Sequence, residues 1–380
     1  MVLKTLFWTS LGLLLWTHVG YPLVMGLLAG IARRRVQKAD VTPTVAVIVV
    51  AHDEQDVLDR RLENLSALDY PAERLEIVVA SDGSRDRTDE IVESHASRDP
   101  RIRLLPRPRE GKVAAQDAAV DGVAAEIVAF SDANAIWATD ALRALVRNLA
   151  DRKVGYVCGQ LRLEDSGGTN REGLYWRYEL WLRERESLAG SITAGNGAIY
   201  AVRRADYVAT QPQFAHDIGL PYLMVQRGRR AVYEPEAIAT EPTARDAEDE
   251  FRRKTRMFAR SWPHVLRGWM FRGGSPLYFC QLFSHRALRY ASGLLHVVLL
   301  LTSIALVGEG LVYELALSAQ LAWFVLALAG RLRLPLPGAA LAYYYFLVTL
   351  ATVVGLVSYL RFGVPAVWEK AGGTRPETTS

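Results

Sequence analysis

Cysteine is scarce in this chain. Among 380 residues there are two, Cys158 and Cys280, far apart and in no metal-like spacing. A disulfide framework is therefore not indicated, and a reducing compartment fits. Two phosphate-binding signatures are missing. No GxGxxG follows the first apolar strand, which speaks against dinucleotide redox binding, and no GxxxxGK[ST] occurs, which speaks against a P-loop. There is no internal repeat and no long low-complexity segment. The formal net charge of +4 is small for the length. With many arginines flanking apolar runs, it speaks for membrane orientation and not for nucleic acid.

Charge is absent from long stretches at both ends. Residues 5 to 32, "TLFWTSLGLLLWTHVGYPLVMGLLAGIA", carry none, and Arg33, Arg34 and Arg35 follow directly. A span needs about 20 apolar residues, and basic clusters of this kind stay on the cytoplasmic side. The segment is too long for a signal-peptide core. Near the other end, residues 290–308, 315–330 and 334–360 are uncharged, with Glu309 and Glu314 in the first gap and "RLRLPLP" in the second. These read as three spans; the alternative is one span plus a re-entrant or interfacial hairpin.

The middle of the chain reads as an α/β domain over residues 44–250. "TVAVIVVA" (44–51) is apolar without alternation, as in a strand buried on both faces. "LEIVVAS" (75–81), "RIRLLP" (101–106) and "EIVAFSD" (126–132) are further strands, and helical patterns at 56–68, 88–97 and 112–123 separate them. Alternating strands and helices imply a parallel, doubly wound sheet, which binds ligands beyond the carboxyl ends of its strands. Those ends carry His52-Asp53-Glu54, Ser81-Asp82-Gly83-Ser84, Gly111-Lys112 and Asp132-Ala133-Asn134. A carboxylate and an amide two residues apart suit a hard divalent cation that completes its shell with water and phosphate. Equally, Asp132 caps the next helix and Asn134 fills a turn.

In order, these motifs resemble the membrane-bound family-two glycosyltransferases. They are "AHDE" (51–54), "SDGSRDRT" (81–88), "GKVAA" (111–115), "DAN" (132–134), "TAGNGAIYAVRR" (193–204) and "HD" (216–217). The resemblance covers roughly residues 44–265 and extends to polysaccharide synthases of the cellulose, hyaluronan and poly-N-acetylglucosamine type. It implies an α/β GT-A fold inserted between transmembrane helices. The expected organisation is a membrane helix at 5–32, a cytoplasmic catalytic domain at 44–250, interfacial amphipathic helices at 251–285, about three membrane helices at 287–362 and a tail at 363–380.

The resemblance also implies a chemistry: metal-dependent, inverting transfer of a sugar from a nucleotide diphosphate to a hydroxyl. Asp82 is then a nucleotide-base or ribose contact, with Ala51, Asp53 and Glu54 at the pocket floor. Lys112 steadies the base or the diphosphate. Asp132, directly or through Asn134, holds Mg²⁺ or Mn²⁺ on the leaving diphosphate. Asp217 is the general base, its pKa raised by partial burial and neighbouring carboxylates; the bland reading of Asp217 is a helix cap. Gly195, Asn196 and Gly197 belong to the acceptor region. Tyr175 and Trp176, on a helix over 172–187, flank the acceptor channel or rest on the membrane interface. The expected partners are a nucleotide-sugar donor, a glycan or lipid-linked acceptor, membrane lipid and polysaccharide-export or synthase proteins, at the plasma (inner) membrane.

Several positions depart from the pattern. Ser81 replaces the first acid of D-D-G-S, Asn134 the second acid of D-x-D, and His216 the acid beside the base. The Q-x-x-R-W of processive members is reduced to Arg253 and Arg256, with Met257 in the tryptophan's place. Extension of a polymer and addition of a single sugar stay open, and a catalytically impaired membrane scaffold is the alternative from another class. The topology does not close: three C-terminal spans put the tail outside, yet "VWEKAGGTR" (367–375) resembles a cytoplasmic tail motif.

Overall fold

The computed structural model describes residues 1–164, 173–211, 214–242 and 246–364; the tail segment from 365 on lies outside the described residues. The chain starts with two helices, α1 (Val2–Leu15) and α2 (Tyr21–Ile31), continuous through a π turn at Trp16–Gly20. The domain follows as β1 (Val45–Ala51), α3 (Gln55–Ser66), β2 (Leu75–Asp82), α4 (Thr88–Ala96), β3 (Ile102–Arg107), α5 (Lys112–Asp121) and β4 (Ile127–Asp132). It continues through β5 (Ile136–Trp137), α6 (Ala141–Val146), β6 (Val154–Glu164), α7 (Gly173–Ala189), β7 (Tyr200–Arg203), α8 (His216–Gln226) and β8 (Arg230–Pro242). The last helices are α9 (Ala247–Leu266), α10 (Pro276–Leu282), α11 (Leu288–Ala305), α12 (Leu311–Arg331) and α13 (Ala339–Phe362).

The strands form one sheet in the order β3-β2-β1-β4-β7-β6-β8-β5. The first four are parallel, as their unalternating apolar runs require. In β1, Val45, Val47 and Val49 point into one core with Leu58 and Leu62 of α3. Ala46 and Ile48 point into the other, with Ala115 and Ala119 of α5 and Phe130 of β4. Beyond β4 the sheet becomes mixed: β7 is antiparallel to β4 and to β6, β8 is parallel to β6, and β5 is antiparallel to β8. The reversal at β4/β7 matters for the site. Phe130 pairs with Tyr200, so the exit of β4 at Asp132 meets the entry of β7, directly after the Gly195–Gly197 loop.

The terminal helices are not loosely attached. Along α2, Gly26 faces Trp181 of α7, where a Cβ would lie 3.4 Å from the indole ring. The Tyr21 hydroxyl donates to Glu186 of α7. His285, just before α11, contacts Glu186 at 2.6 Å and Glu179 at 3.3 Å, and Arg289 pairs with Glu179. Among the described residues, four helices have the length and composition to cross a membrane: Val2–Ile31, Pro276–Ala305, Leu311–Arg331 and Ala339–Phe362. The amphipathic stretch expected over 251–285 begins as α9, whose N-cap Asp246 accepts from the N–H groups of Glu248 and Asp249.

Candidate active site

Parallel register lines up the strand ends in one row. Asp82 of β2 pairs with Arg107 of β3, Ser81 pairs with Ala51 of β1, and Val50 pairs with Asp132 of β4. Asp82 is buried and fully engaged. It takes Arg109 at 2.7 Å and the N–H groups of Glu110 and Gly111 at 2.8 and 3.0 Å. Those bonds fix the turn that starts α5. Gly111 there has φ +101°, a backbone region that side chains disfavour, and the turn delivers Lys112 at the first helical position. The Lys112 ammonium pairs with Asp132 Oδ1. Burial pulls the Lys112 pKa down, but pairing with Asp132 outweighs it and leaves the group above its ordinary range.

Asp132 and Lys112 line a cavity of about 420 Å³ together with Asp217, Gly195, Asn196 and Gly197. Tyr175, Trp176 and Arg253 line it as well. Asp217 sits in the first turn of α8. Burial pushes its pKa up and the Asp132 charge adds to that, against the opposing pull of Lys112. The arrangement joins a buried carboxyl group to a paired ammonium and carboxylate across one cleft. Proton transfer and anion binding can be combined there.

The glycine loop shapes the space between them. At Gly195 a Cβ would overlap the Tyr156 hydroxyl, and at Gly197 it would lie 3.1 Å from Asp132 Oδ2. Asn196 turns inward on its own loop: its amide donates to the Gly159 carbonyl at 2.8 Å and its oxygen accepts from the N–H groups of Ala198 and Ile199. It builds the loop more than it faces an acceptor.

Other sequence candidates fall elsewhere. Ala51, Asp53, Glu54 and Asp82 are not among the cavity-lining residues; they gather at the β1 and β2 exits. There Asp53, with φ +52°, accepts from the Arg85 N–H at 2.7 Å, and the Glu54 N–H donates to Thr88 at 2.8 Å. Asn134 is half-buried and Arg256 is exposed, and neither lines the cavity. The lining residues that the motif spacing missed include Arg183, Glu241, Lys254 and Arg260. Arg260 lies seven positions after Arg253, two helical turns along the same face of α9. That periodicity is the signal that finds it. Burial lowers its pKa while Asp217 opposes the shift.

Among the described residues no group of three or more His, Cys, Asp and Glu side chains forms a metal cage. The donor set at Asp132 still fits a hard cation held by one carboxylate. Oδ1 takes Lys112, while Oδ2 faces a residue without a side chain. Phosphate and water oxygens complete such shells.

An α/β sheet with this strand order, and a cavity at the β4 exit between helices, is the GT-A architecture of nucleotide-sugar transferases. Comparison with known proteins agrees. A mannosyltransferase from Pyrobaculum calidifontis, solved with GDP-Man and Mn²⁺, superposes with a TM-score of 0.71 over 94% of this chain and 99% of its own, at 23% identity; that likeness speaks for the fold. Residues 46–209 match the model of Glycosyl transferase family 2, so this segment is similar to the domain of that family. An N-acetylglucosaminyltransferase of Rhizobium meliloti (strain 1021) is 28% identical over 215 residues, 52% of this chain and 50% of that protein. One of Mesorhizobium japonicum is 28% identical over 216 residues, 52% and 51%. The chain spans about half the length of the curated relatives it matches.

Proposed function

We propose that this glycosyltransferase moves a sugar, with inversion, from a nucleotide-diphosphate donor to the hydroxyl of a glycan or lipid-linked acceptor at a membrane surface. The observation that carries the reading is the shared cavity: Asp217, buried and raised in pKa, opposes the Lys112–Asp132 pair, and helices α11 and α13 wall the same space. Asp217 takes the proton from the acceptor hydroxyl. The freed oxygen attacks the anomeric carbon from the side opposite the diphosphate. The new C–O bond forms as the bond to the phosphate oxygen breaks, so configuration inverts. Lys112, Arg253 and Arg260 meet the negative charge that builds on the leaving diphosphate.

Asp132 is the residue that would hold a divalent cation, Mg²⁺ or Mn²⁺. When bound, that cation supplies further neutralisation of the diphosphate. The Mn²⁺ complex of the structural relative supports this assignment. Tyr175 and Trp176 line the cavity, and aromatic side chains there suit a sugar acceptor. The helices at either end of the domain support an inner-membrane location with the catalytic domain cytoplasmic, and a part in building an envelope or extracellular glycan.

The test is a panel of nucleotide-sugars with Mg²⁺ or Mn²⁺ in membranes containing the full chain, scored for nucleotide diphosphate release. The reading requires release with at least one donor and its loss in Asp217→Asn. Release unaffected by that substitution would overturn the assignment of the base.

A further inference from the structure

α13 has the length and composition of a membrane span, but it follows a path that a span cannot take. Crossing requires passage through about 30 Å of hydrocarbon. α13 instead stays beside α9. Near its start, the Tyr344 hydroxyl lies 3.4 Å from Glu250 Oε1, and Glu250 pairs with Arg253 at 2.8 Å and Lys254 at 3.4 Å. About 16 Å of helix further on, Gly355 still packs on α9: a Cβ there would lie 2.8 Å from Phe258 Cβ and 3.0 Å from the Ala259 nitrogen. Between these points Trp262 Nε1 donates to the Thr352 carbonyl at 2.9 Å.

α9 cannot lie in hydrocarbon. Besides the Glu250 cluster it carries Glu248, Asp249 and Arg252, paired on one another at its start. Charged side chains are costly at the bilayer centre and are rarely found there. The part of α13 that touches α9 therefore sits at the same level as this charged helix. Past Gly355, through Phe362, only about 10 Å of helix remains, a third of the hydrocarbon core.

The neighbouring turn agrees. The first residues of α13 run back along α12, with Gly330 against Ala339 and Phe324 5.9 Å from Phe346. Gly330, Arg333 and Leu336 share a second cavity with Arg162, Trp176 and Arg177 of the catalytic domain. The turn between α12 and α13 is thus on the catalytic side. The opposite side is marked where Lys4 of α1 pairs with Glu309 at 3.0 Å, just past α11. One face of α13, through Tyr345, Val348, Thr349 and Thr352, lines the site cavity. Another leaves Leu350, Val354, Val357 and Leu360 exposed.

We propose that α13 is an in-plane element at the catalytic-side surface of the bilayer, lipid on one face and the active-site cavity on the other, and not a further crossing. α11 leaves the catalytic side, α12 returns to it, and the chain stays there. This removes the conflict over the tail, which then emerges beside the catalytic domain.

The test is side-specific labelling of the full chain in sealed vesicles of known orientation, with Cys280→Ser as background. Ser97→Cys reports the catalytic domain and Val307→Cys the turn after α11. Leu334→Cys and Ser380→Cys are expected to react with a membrane-impermeant maleimide from the same side as Ser97→Cys. Reaction of either from the Val307→Cys side overturns the proposal. A second measurement places fluorophores at Leu350→Cys and Val357→Cys and compares nitroxide quenchers at shallow and deep lipid positions. Shallow quenching of both supports the in-plane path; strongest quenching of either by the deep probe overturns it.

Discussion

The backbone N–H of Gly195 donates to the main-chain carbonyl of Asp217 at 2.7 Å. The loop that closes on Asp132 and the helix that carries the proposed base are thereby locked at one point. Small displacements of the loop must reach Asp217, and proton transfer depends steeply on such placement.

Replacing Asp217 by Asn keeps the shape and removes the proposed base. Transfer is expected to fall by about 10²- to 10⁴-fold. Binding of nucleotide diphosphate, followed by titration calorimetry, should persist. Loss of both together would mean that Asp217 serves the donor and not the acceptor.

The same substitution should stabilise the protein. The folded-state pKa of Asp217 is raised from 3.8, so the folded protein binds this proton more tightly than the unfolded chain. The associated stability is present below pH 3.8 and is lost as pH rises through the folded value. Above the folded value the ionised side chain is then a liability, and Asp217→Asn should raise the thermal midpoint. The gain should vanish in acid below the ordinary carboxylate range. A lower midpoint at neutral pH would contradict the buried-acid description.

Arg260 and Arg256 separate two readings of α9. Arg260 lines the cavity within the field of Asp217, whereas Arg256 is exposed and lies outside it. Arg260→Ala should lower kcat/KM by roughly 10-fold or more, the scale of one lost charge-assisted bond of about 1.5–3 kcal/mol. Arg256→Ala should have the smaller effect. The reverse ranking would restore the assignment made from motif spacing.

The parallel half of the sheet was legible because β1, β2 and β4 are buried on both faces and read as apolar runs. β8, "RAVYEPEAIATEP", is interrupted by prolines and glutamates, so the mixed half gave no comparable signal. Among site residues, Lys112, Asp132 and Asp217 follow motifs and do meet in one cavity. Asn134 and Arg256 satisfy the same motif spacing and point elsewhere, because spacing does not fix which face of a turn or helix is presented. Arg183, Glu241 and the wall from α11 and α13 were not legible: they converge from segments far apart in the chain.

Gly195→Ala should be disruptive out of proportion to one methyl group. The added carbon would overlap the Tyr156 hydroxyl, and overpacking of this kind costs about 1–3 kcal/mol. Adding Tyr156→Phe removes the clashing oxygen and should recover part of the lost activity and stability. A double-mutant cycle on the thermal midpoint reads the coupling; strictly additive effects would contradict the close approach.

Glu186 tests the junction between α2, α7 and the segment before α11. It is fully buried between Tyr21, Thr193 and His285. Removing one member of a buried charged cluster typically costs about 3–5 kcal/mol. Glu186→Ala should therefore lower thermal stability in detergent sharply, measured by loss of the cooperative transition. An unchanged midpoint would mean the helices are tethered by lipid and not by this cluster.

The seam between α2 and α7 has a practical corollary for anyone wishing to isolate the α/β domain in water. A fragment beginning after Arg35 would strip Tyr21 and Met25 from the apolar side of α7 and leave the buried acid Glu186 without its phenol partner. Cutting away the amino-terminal helix is therefore not a trimming of an anchor but the removal of a piece of the α/β body, and such a fragment should aggregate unless a substitute surface is supplied.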